Sequence, residues 1–185
     1  IDALNSYYKE HNSCGERVKY TWGRTTDQKV EATRHKVLKY LKLSPRKYFV
    51  SFTLNTTYGI NLLLNQINIK KTGVKHIVTS DIEHNSPFLA TMAFSQRTGL
   101  PREVMKRNED GSITVSDYDF GRAVVVINCA SNFDGRKLLN IREVVKAVHK
   151  AGGIIIIDAA QAMAHSSDIL QGVEADAICF SAHKL

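Results

Sequence analysis

Two short aliphatic runs constrain the fold of this chain more than any other feature of its sequence. Ala123–Asn128 holds five consecutive aliphatic residues before its asparagine, and Ile154–Asp158 holds four isoleucines before its aspartate. Such runs are typical of strands buried on both faces, as in parallel sheets covered by helices on both sides. Between them lies an amphipathic segment, Ile141–Lys150, followed by Gly152 and Gly153. Together these segments predict a βαβ unit.

The same alternation extends over most of the chain. Further helices are predicted at Asp27–Leu43, Thr57–Ile67 and Ser86–Gly99, and further strands at Tyr48–Thr53, His76–Thr79, Glu103–Arg107 and Asp176–Phe180. The predicted fold class is therefore α/β, with a mainly parallel sheet and helices on both faces. A chain of 185 residues is long enough for one such domain and short for two. We predict an N-terminal segment, residues 1–26, and one incomplete domain, residues 27–185, because the chain stops just after a strand.

Composition and charge exclude several classes of function. The net charge is +7, but the basic residues are scattered along predicted helices, without an arginine-rich tail or an aromatic platform. We therefore expect no nucleic-acid partner, which would show itself by a steep salt dependence of binding. No apolar run approaches the length of about 18 residues that a membrane helix needs. Ile1–Lys9 does not resemble a signal peptide, and the missing initiator Met suggests that the chain begins after a native terminus.

The three cysteines, Cys14, Cys129 and Cys179, are widely separated. Their spacing matches neither a disulfide framework nor a zinc site, so we expect structural thiols, no metal, and a reducing compartment. The cytoplasm is the expected location, and an organelle stays possible if a native N-terminus was removed.

Five polar clusters follow the predicted strands. They are Asn55–Thr57, Asp81–Ser86, Asn128–Asn132, Asp158–Gln161 and Ser181–Lys184. Because ligands of open α/β sheets bind beyond the carboxyl ends of the strands, we expect these clusters to converge at one edge.

Asp158 and Lys184 are the two residues with the most specific chemistry. A carboxylate at the end of a buried strand is costly unless a cation meets it, and a pyridinium nitrogen is one such cation. A lysine in a partly desolvated pocket can form a Schiff base with an aldehyde. Each residue also has a simpler interpretation, Asp158 as a helix cap and Lys184 as a surface lysine.

The remaining candidates are individually unspecific. Thr56 and Thr57 open a helix and could bind an anion there, or they could serve only as caps. His84 could stack on a flat cofactor or be an ordinary loop histidine. Ser181 and His183 could bind a phosphate. The amides of Asn132 and Gln161 could donate to a ring oxygen, or they could be ordinary loop amides.

The order of these motifs resembles that of the class V aminotransferase family, and within it the cysteine desulfurase and selenocysteine lyase branch. The resemblance runs from about Tyr7 to Leu185. Its motifs are Thr56-Thr57-Tyr58-Gly59-Ile60-Asn61, Glu83-His84-Asn85-Ser86, Ser131-Asn132 before Gly135, Asp158-Ala159-Ala160-Gln161 with His165, and Ser181-Ala182-His183-Lys184. The chain departs from the family at Asn55, Tyr58, Cys129 and Ala182, and in the segment Asn12–Arg24.

The resemblance implies a fold-type I enzyme that uses pyridoxal 5'-phosphate (PLP) on an amino acid. Lys184 would form the Schiff base and move protons, and Asp158 would hold the pyridine nitrogen. His84 would stack on the ring, and Gln161 and Asn132 would address the ring oxygen and the substrate carboxylate. Thr56, Thr57, Ser181 and His183 would hold the phosphate. Removal of sulfur or selenium from cysteine-like substrates is the first hypothesis.

Parts that the family places in its second half have no counterpart here: the small domain, a substrate-binding arginine and, in desulfurases, a nucleophilic cysteine. Neither Cys129 nor Cys179 takes that role, since one belongs to the asparagine loop and the other to a predicted strand. The resemblance also implies a homodimer and a sulfur-acceptor protein. A class V transaminase, a kynureninase-like hydrolase and an inactive binding or assembly module remain open alternatives.

Overall fold

The computed structural model describes residues 1–15 and 19–185, and within them the chain divides into two compact units, residues 1–51 and 52–185. Residues 16–18 of the predicted N-terminal segment, which also belong to the departing segment Asn12–Arg24, lie outside the described residues. No helix in the described part of the chain is long and apolar enough to cross a membrane.

The first unit is helical. It contains α1 (Asp2–Glu10), which was not predicted, and α2 (Thr21–Tyr40), which begins earlier than the predicted Asp27. Threonine generally disfavours helices. Here the hydroxyls of Thr25 and Thr26 donate to the backbone carbonyls of Thr21 and Trp22 in the same helix, so both hydroxyls are hydrogen-bonded.

The strand predicted at Tyr48–Thr53 is wrong, because these residues join no sheet. In the part of the chain that the structure describes, these residues pair with no strand, and β propensity has little effect without a pairing partner. One of its carbonyls is satisfied by a side chain instead, since the Nε of Arg34 donates to the oxygen of Val50 at 2.9 Å.

The second unit contains a five-stranded parallel sheet in the order β2-β1-β3-β4-β5. Its strands are β1 (His76–Ser80), β2 (Arg102–Met105), β3 (Ala123–Asn128), β4 (Ile154–Asp158) and β5 (Ala177–Cys179). Its helices are α3 (Thr56–Gln66), α4 (Ile69–Thr72), α5 (Asn85–Thr98), α6 (Ile141–Lys150) and α7 (Ala162–His165). Short 3-10 turns lie at Val115–Asp117, Ser167–Leu170 and Ala182–Lys184. The predicted α/β class is thereby confirmed.

Both faces of the sheet are covered, as predicted. Val124 and Val126 of β3 pack in one cluster with Ile60 of α3 and Phe94 of α5. Alternate residues of a strand point to opposite faces, and on the other side α6 packs against β4. All six residues of β3 are buried, which explains why its sequence is aliphatic without interruption.

Strand β2 ends at Met105, earlier than the predicted Arg107, because its pairing with β1 stops there. The last paired residues are Ser80 and Met105. The backbone N–H of Arg107 then leaves the sheet and donates to Asp81 Oδ1 at 3.0 Å. The chain turns at this point, so the Arg107 side chain enters the interior.

We expect Phe94→Ala to destabilise the second unit strongly, because Phe94 is only 2% exposed in the cluster between the sheet and α5. Removal of a buried aromatic ring costs about 3–5 kcal/mol. Urea unfolding followed by circular dichroism measures the loss. Phe133→Ala is the matched control, because Phe133 is 90% exposed, and its effect should stay within about 0.5 kcal/mol. Equal losses in the two variants would contradict the packing described here.

Candidate active site at the carboxyl ends of the strands

A cavity of about 150 Å³ lies where the strands end. Between β1 and β3 the strand order reverses direction, and such a switch point is where open α/β sheets bind ligands. Eight of the nine residues predicted for the site line this cavity: Thr56, His84, Asn132, Asp158, Gln161, Ser181, His183 and Lys184. The ninth, Thr57, lines a neighbouring depression instead. The predicted convergence of the polar clusters is therefore observed.

Strand register explains why Asp158 lies in this cavity. The pairing of β3 with β4 sets Asn128 beside Asp158, and both side chains reach the cavity. Asp158 is 4% exposed, and its Oδ1 accepts the N–H of Ala160 at 2.9 Å. Burial raises the pKa of Asp158, while that hydrogen bond and the charges of His84 and Lys184 limit the rise. A cation in the cavity would stabilise this carboxylate further.

The hydroxyl-bearing residues Thr56 and Ser181 also line the cavity. The two oxygens are 2.7 Å apart, and the backbone N–H of Thr56 also donates to the Ser181 hydroxyl at 3.2 Å. The cap of α3 is Asn55, whose side chain accepts from the N–H of Tyr58. Thr56 is therefore not needed as a cap, and its polar groups are available at the start of the helix.

His84 caps the start of α5. Its Nδ1 accepts the backbone N–H of Ser86 at 3.0 Å and lies 2.8 Å from the Ser86 hydroxyl. That hydroxyl lies 2.6 Å from the hydroxyl of Thr57. The residue is thus a hydrogen-bonded loop histidine and a cavity residue at the same time.

Lys184 and His183 are exposed at the cavity, in the last 3-10 turn of the chain. Within the described residues the Lys184 side chain is exposed rather than partly desolvated. Asn132 is likewise exposed, whereas Gln161 is half-buried. The cavity is consequently buried at Asp158 and Ser181 and open to solvent at Asn132, His183 and Lys184.

A buried ion pair that no sequence pattern indicated is hydrogen-bonded to Asn128, a residue of the cavity. The side chains of Glu83 and Arg107 are fully buried, with Arg107 Nη2 3.6 Å from Glu83 Oε1. Glu83 accepts the N–H of Asn128 at 2.7 Å, and Arg107 donates to the Asn128 carbonyl at 2.5 Å. Glu83 also accepts a hydrogen bond from the hydroxyl of Ser80, which accepts one from Arg107. The pair thereby fastens the loop that carries His84 to the end of β3.

This pair and four further residues that line the cavity carried no signal specific enough to single them out. The four are Ser86, Asn128, Ala130 and Ala160. A charged residue at the end of a predicted strand was the available clue to Arg107.

Neither cysteine near the cavity is suited to be a nucleophile. Burial raises the pKa of the Cys129 thiol, and it raises that of Cys179 to about 12. Both thiols therefore stay protonated at neutral pH, in agreement with the structural role expected for them.

A doubly wound α/β unit with a polar cavity beyond its strand ends thus defines this protein as a member of a ligand-binding α/β class. The chain belongs to the class-V aminotransferase family, whose pattern it matches over residues 1–185. Members of this family, including cysteine desulfurases, depend on PLP.

Individual relatives agree with this assignment. A probable cysteine desulfurase of Pyrococcus abyssi and a cysteine desulfurase of Enterobacter sp. are each 28% identical to the whole of this chain, which covers 46% of each. The apo structure of a cysteine desulfurase from Thermococcus onnurineus superposes on 98% of the chain with a TM-score of 0.82 and 25% identity, and the match covers 46% of that protein. The chain spans about half the length of the curated relatives it matches.

We expect the stability of this protein to depend on the ionisation of Glu83. Burial raises the pKa of Glu83 from 4.5 to about 7, although Arg107 and the hydrogen bonds from Ser80 and Asn128 oppose the rise. Between these two values the folded state binds more protons than the unfolded state, so the free energy of unfolding falls as pH rises. Glu83→Gln removes this titration and should gain roughly 2–3 kcal/mol on the natural chain between pH 5 and pH 8.

Urea unfolding at a series of pH values measures this gain. Glu109→Gln, which removes an exposed carboxylate, is the control and should follow the natural chain at every pH. A difference between Glu83→Gln and the natural chain that does not change with pH would contradict the prediction.

Proposed function

We propose that this protein is a PLP-dependent enzyme acting on an amino acid, with sulfur or selenium removal from cysteine-like substrates as its reaction. The observation that carries the proposal is one cavity that joins a buried carboxylate, a pair of hydroxyls at a helix start and a lysine: Asp158, Thr56, Ser181 and Lys184. When bound, the cofactor supplies an electron sink for bond breaking at the α-carbon of the substrate.

The residues at both ends of the cavity fit this cofactor. Asp158 has one carboxylate oxygen held by Ala160, and its raised pKa means that a cationic ring nitrogen would be a favourable partner. The N-terminus of α3 attracts anions through its helix dipole, so Thr56 and Ser181 are suited to hold a phosphate. Their present hydrogen bond to each other would then be replaced by bonds to phosphate oxygens. We extend the proposed phosphate site to Thr57 and His183, as the resemblance implies.

Lys184 is proposed as the residue that binds the cofactor aldehyde and moves a proton at the substrate α-carbon. His84 is proposed to lie against the cofactor ring, and Gln161 and Asn132 to address the ring oxygen and the substrate carboxylate. Since Lys184 is exposed here, its desolvation is assigned to parts of the relatives' length that this chain does not span.

We propose that the nucleophilic cysteine needed for the sulfur chemistry lies in the part of the relatives' length that this chain does not span, as the resemblance implies. The thiols of Cys129 and Cys179 do not fit the role, because the pKa of each is raised by burial. A sulfur-acceptor protein and a cytoplasmic location belong to the same proposal.

We expect PLP followed by borohydride to give a stable adduct on Lys184, found by peptide mass mapping and preceded by a visible absorption band. The measurement is made on this chain and on the longest natural form of the protein. Lys184→Ala should abolish the adduct, whereas Lys150→Ala, which changes an exposed lysine of α6, should leave it unchanged. An adduct spread over many lysines, or none in either form, would refute the assignment.

We further propose that α3 and α5 form part of a homodimer interface. Tyr58 and Leu62 of α3 and Leu89 of α5 are 48%, 41% and 57% exposed. The two helices pack against each other, and Leu89 lines the depression beside them. Apolar residues exposed on neighbouring helices are typical of association sites.

Leu89→Glu should shift this protein from dimer to monomer, because a carboxylate would be desolvated at the interface. Sedimentation equilibrium over a concentration series measures the change. Leu139→Glu is the matched control, since Leu139 is 62% exposed elsewhere on the second unit. If both variants associate equally, the proposal that α5 is part of the interface is wrong.

A further inference from the structure

We propose that Ser86 and Thr57 are positioning residues that hold the imidazole of His84 in a single tautomer, with its proton on Nε2. The inference rests on the proposed function only for the use of that proton, because the tautomer is a property of the chain itself.

A hydrogen bond from the backbone determines which ring nitrogen of His84 is unprotonated. Nδ1 of His84 lies 3.0 Å from the backbone N of Ser86, at the cap of α5. A backbone N–H can only donate, so Nδ1 must offer a lone pair. In a neutral imidazole the proton then resides on Nε2.

The hydroxyl of Ser86 acts in the same direction. It lies 2.8 Å from Nδ1, and because Nδ1 accepts, the hydroxyl must donate. Its oxygen is thereby left to accept from the hydroxyl of Thr57 at 2.6 Å. All three bonds have one consistent polarity, from Thr57 through Ser86 to His84.

The relay joins two helices. Thr57 lies in the first turn of α3 and Ser86 in the first turn of α5, and these helices pack against each other. The orientation of the His84 ring therefore depends on both. With Nδ1 engaged by α5, Nε2–H is the polar ring atom left to donate to an occupant of the cavity that His84 lines.

Thr57 thus acquires a second role beside the phosphate binding proposed for it. Its hydroxyl is committed to Ser86, and it lines the depression beside α5, whereas Thr56 lines the cavity. Loss of the Thr57 hydroxyl should consequently affect the histidine in the absence of any cofactor.

Nitrogen-15 NMR of histidine-labelled protein without PLP tests the inference directly. His84→Gln assigns the ring signals among the seven histidines. We expect Nε2 of His84 to carry the proton in the natural chain. A proton on Nδ1 would overturn the proposal at once, and this outcome says nothing about PLP binding, so the two proposals fail separately.

Three variants test the relay. Ser86→Ala should raise the share of the Nδ1-protonated tautomer about two- to tenfold, the worth of one hydrogen bond. Thr57→Val, which keeps the shape of the side chain, should shift it in the same direction by less, and Thr57→Ser should restore the natural ratio. Because Thr57 is exposed, its variants stay informative if Ser86→Ala does not fold. An unchanged ratio in both Ser86→Ala and Thr57→Val would overturn the role of the hydroxyls.

Discussion

The pairing of β3 with β4 is the constraint on which the rest of the second unit depends. Five residue pairs align the two strands, and the last pair sets Asn128 beside Asp158. Side chains reverse faces at every step along a strand, so a shift of one residue would turn the carboxylate away from the cavity. The aliphatic residues that fix this register also bury the carboxylate, which is the origin of its raised pKa. The packing of β3 against β4 therefore determines both the position and the raised pKa of Asp158.

The ion pair of Glu83 and Arg107 has a different character. Removing two charges from water costs more than their attraction returns unless further hydrogen bonds help. Here Ser80, Asn128 and the carbonyl of Gly111 provide those bonds. The raised pKa of Glu83 reflects the part of the desolvation cost that remains. The ion pair fixes the position of His84, because Glu83 immediately precedes His84 in the chain.

Sequence patterns were informative where structure is decided locally. The bounds of β3, β4 and α6 were predicted to the residue. A strand buried on both faces has an uninterrupted aliphatic run, and a helix buried along one stripe has aliphatic residues at helical spacing, so both patterns can be recognised in the sequence. The strand predicted at Tyr48–Thr53 failed for the opposite reason, since a strand exists only with a partner. Arg107 was missed because its partner Asn128 is 21 residues away, and the exposure of Lys184 depends on what covers it rather than on its neighbours in sequence.

The hydrogen bond between Thr56 and Ser181 joins residues that are 125 positions apart. Contacts of such separation form late, because the intervening chain must be ordered before its ends can meet. During synthesis from the N-terminus, α3 leaves the ribosome long before the serine that hydrogen-bonds to its first residue. This corner of the cavity is therefore among the last parts of the unit to close.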